Sequence, residues 1–294
     1  MLSIIVPSYN RKSEVTALLQ SLTNQTRFNF EVVIVDDNSS EPVEITQDYP
    51  FTVTLVRNQE NKGAAESRNI GVRSAQYDWL LFLDDDDRFA DEKCEVIEQA
   101  ILNNKEINFI YHPAQCEMVN EGFSYSTHPY TDINQLTLEN ILKANKIGGM
   151  PMLAVKKSFF QKLNGLSTDL LSLEDYDFVL KAITDSSFSP LYLPQALTKC
   201  TFHTKRSSVS TNNTNTKQAI LKIKQKFVKT PEQAENFQLN SLYMLAFPYV
   251  MNLSRKAAKY YFELFKHSKN IKYLVITIVT IISPKLAINI KRFI

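Results

Sequence analysis

Between Trp79 and Asp87 the chain reads WLLFLDDDD, five apolar residues running straight into four aspartates. The apolar run is short, aromatic and leucine-rich, which is the signature of a strand buried on both faces of a parallel sheet. Such a strand delivers the aspartates to its C-terminal end, where open α/β sheets bind their ligands. Four adjacent carboxylates repel one another and need either a solvated acidic loop or a counter-charge. Directly after a buried strand, a divalent cation is the better account. Hard oxygen ligands select Mg2+ or Mn2+, and such ions are usually shared with a substrate phosphate.

The flanking sequence supplies more strands and helices in alternation. Ser3 to Pro7 reads as a first strand, and Val15, Leu18, Leu19 and Leu22 follow at helical spacing, with Ser13 as the candidate N-cap. Glu31 to Val35 is a second buried strand ending in Asp36-Asp37-Asn38-Ser39-Ser40, and Val53 to Val56 a third. Asn61-Lys62-Gly63 opens a helix to about Ala75. After the Trp79 strand, Asp91 is a candidate cap for a helix burying Val96, Ile97, Ala100 and Ile101, and Ile107 to Tyr111 is again a strand. This alternation predicts a mostly parallel, doubly wound sheet. From about residue 113 it weakens. Ile147 to Val155 reads as loop and strand, and Lys156 to Leu163 as a short helix. Glu174 to Thr184 is a helix whose early acids suit its positive end. Leu191 to Leu193 and Leu197 to His203 read as short strands, and Ser207 to Thr216 as a polar linker.

The chain has neither G-x-G-x-x-G nor G-x-x-x-x-G-K-[ST], and only 6 glycines among 294 residues. A glycine-rich phosphate cradle cannot be built, which argues against dinucleotide-dependent dehydrogenases and P-loop NTPases. Any nucleotide phosphate must be held by metal and side chains. The length and the hydrophobic share of 44% fit one large domain, or one domain with an appendage. The three cysteines, Cys94, Cys116 and Cys200, match no metal-ligand spacing and read as structural thiols of a reducing compartment. The first residues already form a strand pattern, so no signal peptide is expected.

Five segments, in order, resemble the inverting nucleotide-sugar glycosyltransferases of family 2, which have a GT-A type fold. SIIVPSYN is similar to the family's opening strand, and VVIVDDNSS to its second strand and acid pair. NKGAAESRNIGV resembles the Asn-x-Gly…Arg-Asn segment, FLDDDD the Asp-x-Asp metal motif and LEDYDF the Glu-Asp base motif. Each is weak alone; five in register along residues 1–210 are a strong signal. The resemblance implies an α/β fold of the GT-A type (Rossmann-like), a mostly parallel sheet flanked by helices. Residues 1–210 would form the nucleotide-sugar-binding and catalytic domain, and residues 211–294 a basic, helical C-terminal appendage.

The resemblance also implies roles. Pro7 and Tyr9 would pack against the nucleotide base, their alternative being an ordinary strand end. Asp37 would accept a hydrogen bond from uracil, its alternative an Asx turn in which Asp36 could equally serve. Arg68 would lie near the sugar nucleotide, or else on a solvated helix face. Asp86 would bind the Mn2+ or Mg2+ that bridges the donor diphosphate. Asp84 would hold sugar or ribose hydroxyls, and Asp85 would contact the nucleotide or metal-bound water. Asp175 would be the catalytic base, with Glu174 beside it; the alternative is that both acids only begin a helix well. Two departures stand out: Asp91 replaces a frequent proline, and Asn164-Gly165-Leu166-Ser167 replaces Gly-Gly-Phe-Asp ahead of the base motif. His203 resembles a family histidine that approaches diphosphate or metal, its alternative being a structural histidine at a strand end, with Lys205 and Arg206 nearby to neutralise the leaving group.

Net charge is divided unevenly. Residues 1–200 carry 17 basic and 28 acidic residues, whereas residues 201–294 carry 16 and 3. Tyr273 to Ile282, YLVITIVTII, is apolar but too short to span a bilayer; Lys272 and Lys285 bracket it, and Lys291 and Arg292 follow. It reads either as a buried or oligomer-interface helix or as an interfacial segment, and the basic excess favours an anionic membrane surface. The expectation is therefore a cytoplasmic, metal-dependent inverting enzyme peripheral on the inner face of the cytoplasmic membrane. It would move a sugar from a UDP-linked donor to a glycan or lipid-linked acceptor, and no nucleic-acid partner is expected. The rivals are a sugar-phosphate nucleotidyltransferase and a non-catalytic membrane module of the same fold.

Overall fold

The apolar runs become the middle of a sheet. In the computed structural model, which describes residues 1–205 and 212–290, the strands are β1 (Leu2–Ser8), β2 (Phe30–Asp36), β3 (Thr52–Arg57), β4 (Trp79–Phe82), β5 (Arg88–Phe89) and β6 (Phe109–Tyr111). The others are β7 (Ala114–Met118), β8 (Phe123–Ser126), β9 (Leu153–Lys156), β10 (Pro190–Tyr192) and β11 (Thr198–Phe202). The α-helices of the first two thirds are α1 (Lys12–Leu22), α2 (Gly63–Ser74), α3 (Lys93–Asn103), α4 (Leu138–Lys143), α5 (Lys157–Lys162) and α6 (Glu174–Thr184). Five more follow: α7 (Asn213–Phe227), α8 (Pro231–Met251), α9 (Ala257–Ser268), α10 (Ile271–Ile282) and α11 (Pro284–Asn289).

The main sheet has seven strands in the order β10-β6-β9-β4-β1-β2-β3. Strand β1 pairs in parallel with both β2 and β4, and only β9 runs against its neighbours. The central strands are buried along nearly their whole length, which is why they read as unbroken apolar runs rather than alternating ones. One feature was not foreseen: a second, four-stranded sheet in the order β5-β11-β7-β8. It starts directly after the aspartates and returns through β11, so it walls one side of their loop.

Two helix starts differ from expectation. Helix α1 begins at Lys12 with Arg11 at the N-cap, and Ser13 lies inside it, its hydroxyl bonded to Glu14. Helix α3 begins at Lys93 with Glu92 at the N-cap; the Asp91 carbonyl is instead used by the Thr26 N–H, at 2.8 Å.

Ala219, Ile220, Ile223 and Phe227 of α7 and Phe237 of α8 belong to the same hydrophobic cluster as Ile5, Phe82 and Tyr111. The first two C-terminal helices are thus packed into the main core. Asn240 on α8 donates to the Tyr176 hydroxyl on α6, and Lys226 on α7 pairs with the buried Asp177 at 2.8 Å. Arg206, the expected domain boundary at 210/211, Lys291 and Arg292 lie outside the described residues. Among those described, no helix is long and apolar enough to cross a membrane.

Candidate active site

Parallel pairing brings the C-terminal ends of β1, β2 and β4 to one edge of the sheet. Pro7 is half-buried at the end of β1, and Tyr9 just beyond it is exposed. The two acids after Val35 divide their work. Asp36 organises its own loop, accepting from the N–H groups of Ser39 and Val43. Asp37 reaches to the start of α2 and accepts from the N–H groups of Lys62 and Gly63, both at 2.8 Å, and from Asn58 at 2.7 Å. A carboxylate there complements the positive helix end. It also leaves only part of Asp37's acceptor capacity for a ligand. A cavity of about 500 Å³ opens beside it, lined by Arg57, Asn58, Gln59, Glu60 and Lys62. Another, of about 410 Å³ and lined in part by Met1, Trp79 and Lys156, opens at the opposite edge and touches none of the expected site residues.

The four aspartates after β4 meet different partners. Asp84 accepts from Arg68 Nη2 at 2.5 Å. Asp85 is buried and accepts from the Ser8 hydroxyl at 3.0 Å and from Arg11 Nη1 at 2.7 Å. Arg11 Nη1 also lies 2.6 Å from Asp86. Asp87 is buried and accepts from the Thr201 N–H at 2.9 Å, which latches the acidic loop to β11. Burial pushes Asp85 up to about 6 against the pull of Arg11. Burial, reinforced by Asp84, pushes Asp87 up to about 8. The mutual repulsion is therefore relieved by dispersal and by arginines, and burial raises the proton affinity of Asp85 and Asp87.

Helix α6 brings the second acidic motif to the same place. Leu173, just before it, has φ 61°. A left-handed leucine is an uncommon conformation that costs on the order of 1–3 kcal/mol, and such residues cluster at functional sites. Arg68 is buried and spans the gap, donating from Nη1 to Glu174 at 3.0 Å and from Nη2 to Asp84; it is not on a solvated face. Asp175 accepts from the Tyr176 N–H at 2.7 Å, and a Cβ on Gly149 would lie 3.0 Å from its carboxylate. Burial first, then the neighbouring Glu174 charge, lifts Asp175 to about 7, while Arg68 opposes the rise. A carboxyl held near 7 is matched to proton transfer at neutral pH.

The departure at Asn164–Ser167 has a structural use. Asn164 and Gly165 are both left-handed, with φ 58° and 62°. Asn69, next to Arg68, holds the loop through both backbone groups of Leu166 at 2.9 Å, and a side chain at Gly165 would collide with Asn69. His203 lies half-buried just past β11, two residues beyond the Thr201 that Asp87 holds. Lys205 is exposed, its N–H bonded to the Met251 carbonyl.

Among the described residues, no three His, Cys, Asp or Glu side chains are grouped to hold a metal ion unaided. The donor set still fits a hard cation. A guanidinium nitrogen lies between Asp85 and Asp86, so the space between these carboxylates already accommodates positive charge. Mg2+-type ions need only one or two carboxylates when a diphosphate completes the shell. Sequence reasoning missed Arg11, the Asp87 latch and Gly149. The one available signal for Arg11 was the need of an acidic run for a cation, since Arg11 follows the strand that pairs with β4.

The model of the family described as Glycosyl transferase family 2 matches residues 3–163. The chain belongs to that family. A glycosyltransferase of Haemophilus influenzae, named as uncharacterized, is 63% identical to it over 99% of both chains. The UDP-Glc:α-D-GlcNAc-diphosphoundecaprenol β-1,3-glucosyltransferase WfgD of Escherichia coli is 28% identical over 72% of this chain and 80% of its own. The fold of this glycosyltransferase is of the GT-A type. S. aureus TarS 1-349 in complex with UDP-GlcNAc superposes with a TM-score of 0.59 at 17% identity, covering 94% of this chain and 90% of that one. The mannosyltransferase PcManGT of Pyrobaculum calidifontis, in complex with GDP-Man and Mn2+, gives 0.57 at 18% identity, covering 99% and 86%.

Proposed function

We propose that this enzyme transfers a sugar, with inversion and a divalent metal, from a UDP-linked donor to a hydroxyl of a lipid-linked or glycan acceptor, at an anionic membrane surface. One observation carries the reading: Asp175 lies at the mouth of α6, with its proton affinity tuned to about 7, beside an Arg68 that ties the base motif to the aspartates after β4. Asp175 takes the proton of the acceptor hydroxyl while that oxygen bonds to the anomeric carbon and the bond to the diphosphate breaks. A single displacement needs one base and no carboxylate nucleophile. Arg68 fixes Glu174 and Asp84 around the sugar, Asp37 and the adjacent cavity take the base, and Pro7 and Tyr9 pack beside it. Asp86 would hold the metal, with Asp85 near the nucleotide and His203 on the diphosphate side. A bound divalent ion supplies charge neutralisation of the departing diphosphate.

The UDP preference draws on the E. coli relative and on the UDP and UDP-GlcNAc complexes of TarS. The lipid-linked acceptor draws on the relative's diphosphoundecaprenol substrate. The metal draws on the donor set and on the Mn2+ of PcManGT. The experiment is product analysis with a panel of UDP-sugars, with Mn2+ or with chelator. Metal-dependent UDP release fits the proposal; pyrophosphate release, or undiminished turnover in chelator, contradicts it.

A further inference from the structure

Helix α10 is packed the wrong way round for a helix in water. At about 100° per residue, Ile271, Val275, Ile278 and Ile282 fall within roughly 60° of one another on one side, and Thr277 and Thr280 on the opposite side. The side turned inward carries the threonines: Thr277 and Thr280 are buried, Thr280 at 1% exposure, beside a half-buried Tyr273. Their hydroxyls donate to the carbonyls of Tyr273 and Ile276, both at 2.7 Å, so they need no partner from the helix they pack on. The isoleucine side is open, with Ile282 66% exposed, and Leu286 of α11 extends it. Contiguous exposed apolar surface of this kind marks an interaction site.

The geometry points to this face as a docking surface for an anionic lipid bilayer, into which α10 lies flat. The inference rests on the proposed membrane setting of the enzyme and names the surface that meets it. Helix α10 has 12 residues, about 18 Å, far short of the ~30 Å hydrocarbon core. It can therefore lie in the interface but not cross it. Lys269, Lys272 and Lys285 are exposed at its two ends, and Lys259 and Lys266 on α9 are exposed as well. An apolar stripe with basic flanks is the pattern of interfacial helices on anionic leaflets. A second copy of the chain is the competing occupant. It would bring two such basic regions together, each within a segment of 16 basic and 3 acidic residues, and like charges oppose that pairing. A tie from α10 to the catalytic unit is also present: Tyr273 meets Tyr243 of α8 at 3.1 Å, and α8 reaches Tyr176 on the base helix through Asn240. Docking on α10 would thus hold the site at a fixed orientation to the lipid surface.

The test uses the full chain and sedimentation with vesicles of phosphatidylcholine, with and without phosphatidylglycerol. Wild type should bind the anionic vesicles, less so in high salt. Ile278→Glu/Ile282→Glu should weaken partitioning on the order of ten-fold or more, since it removes apolar burial and adds like charge to the leaflet. Lys272→Glu should weaken it less and flatten the salt dependence. All three positions are exposed, so melting temperature and UDP affinity should not move. Equal partitioning of the double variant and wild type overturns the inference. So does a vesicle-free dimer, seen by analytical ultracentrifugation, that the double variant dissolves. Loss of vesicle binding by the double variant supports the docking face even in a preparation that transfers no sugar, so failure of the enzymatic proposal is scored separately.

Discussion

The edge of the sheet that carries the candidate site and the C-terminal helix α10 use charge and apolar surface in opposite ways. At the sheet edge, acids are drawn inward: Asp85, Asp87 and Asp37 are buried, and each is met by arginine or by backbone N–H groups. At α10, Ile271, Ile278, Ile281 and Ile282 are turned outward and Thr277 and Thr280 inward. Buried charge needs partners placed by the fold, and its cost is justified only where chemistry uses it. Exposed isoleucine needs something other than water to meet it. On the proposed reading, the first region acts on a small charged ligand and the second meets a surface. Between them, α7 and α8 belong structurally with the first, since they contribute Ile223 and Phe237 to its core.

The comparison can be broken at its most charged point. Asp86→Asn should reduce metal-dependent transfer by roughly 10³-fold, several kcal/mol of charge stabilisation at about 1.4 kcal/mol per decade. It should also weaken UDP binding, read by calorimetry with and without Mn2+, while the fold is retained. Full activity in this variant would remove Asp86 from metal binding. A smaller effect sharpens the boundary between the regions. Ile223→Ala on α7 should cost about 2–5 kcal/mol in denaturant unfolding, as core truncations do. Ile278→Ala on α10 should stay within about 0.5 kcal/mol, as exposed positions do. Equal losses at the two sites would show that α10 is packed in solution like the rest.

Much of the first region is legible in the chain because its signals are local. The runs around Ile4, Val33 and Leu81 are continuous and apolar because both faces of their strands are covered. Helix α6 begins at Glu174 and ends at Thr184, the bounds its sequence pattern implies. What could not be read depends on distant partners. Arg11 meets Asp85 and Asp86 from 74 and 75 residues away, and Asp37 caps a helix that starts 26 residues later. The reversed direction of β9 leaves no trace in LAVK, and β5, with two residues, is too short for any period to show. YLVITIVTII reads as uniformly apolar; that its threonines face inward is settled only by packing on α9.

The central claim is that Asp175 removes the acceptor proton, and one variant tests it most directly. Asp175→Asn keeps the size of the side chain but cannot take up a proton near neutrality. In the wild type, Asp175 is raised to about 7, so kcat/KM should fall about ten-fold per pH unit below that value as the base becomes protonated. In Asp175→Asn, kcat should drop roughly 10²–10⁴-fold and this acid limb should vanish, with UDP affinity and melting temperature near wild type. A variant that turns over at the wild-type rate and keeps the limb would contradict the account, and would leave Asp175 as no more than the first turn of a helix.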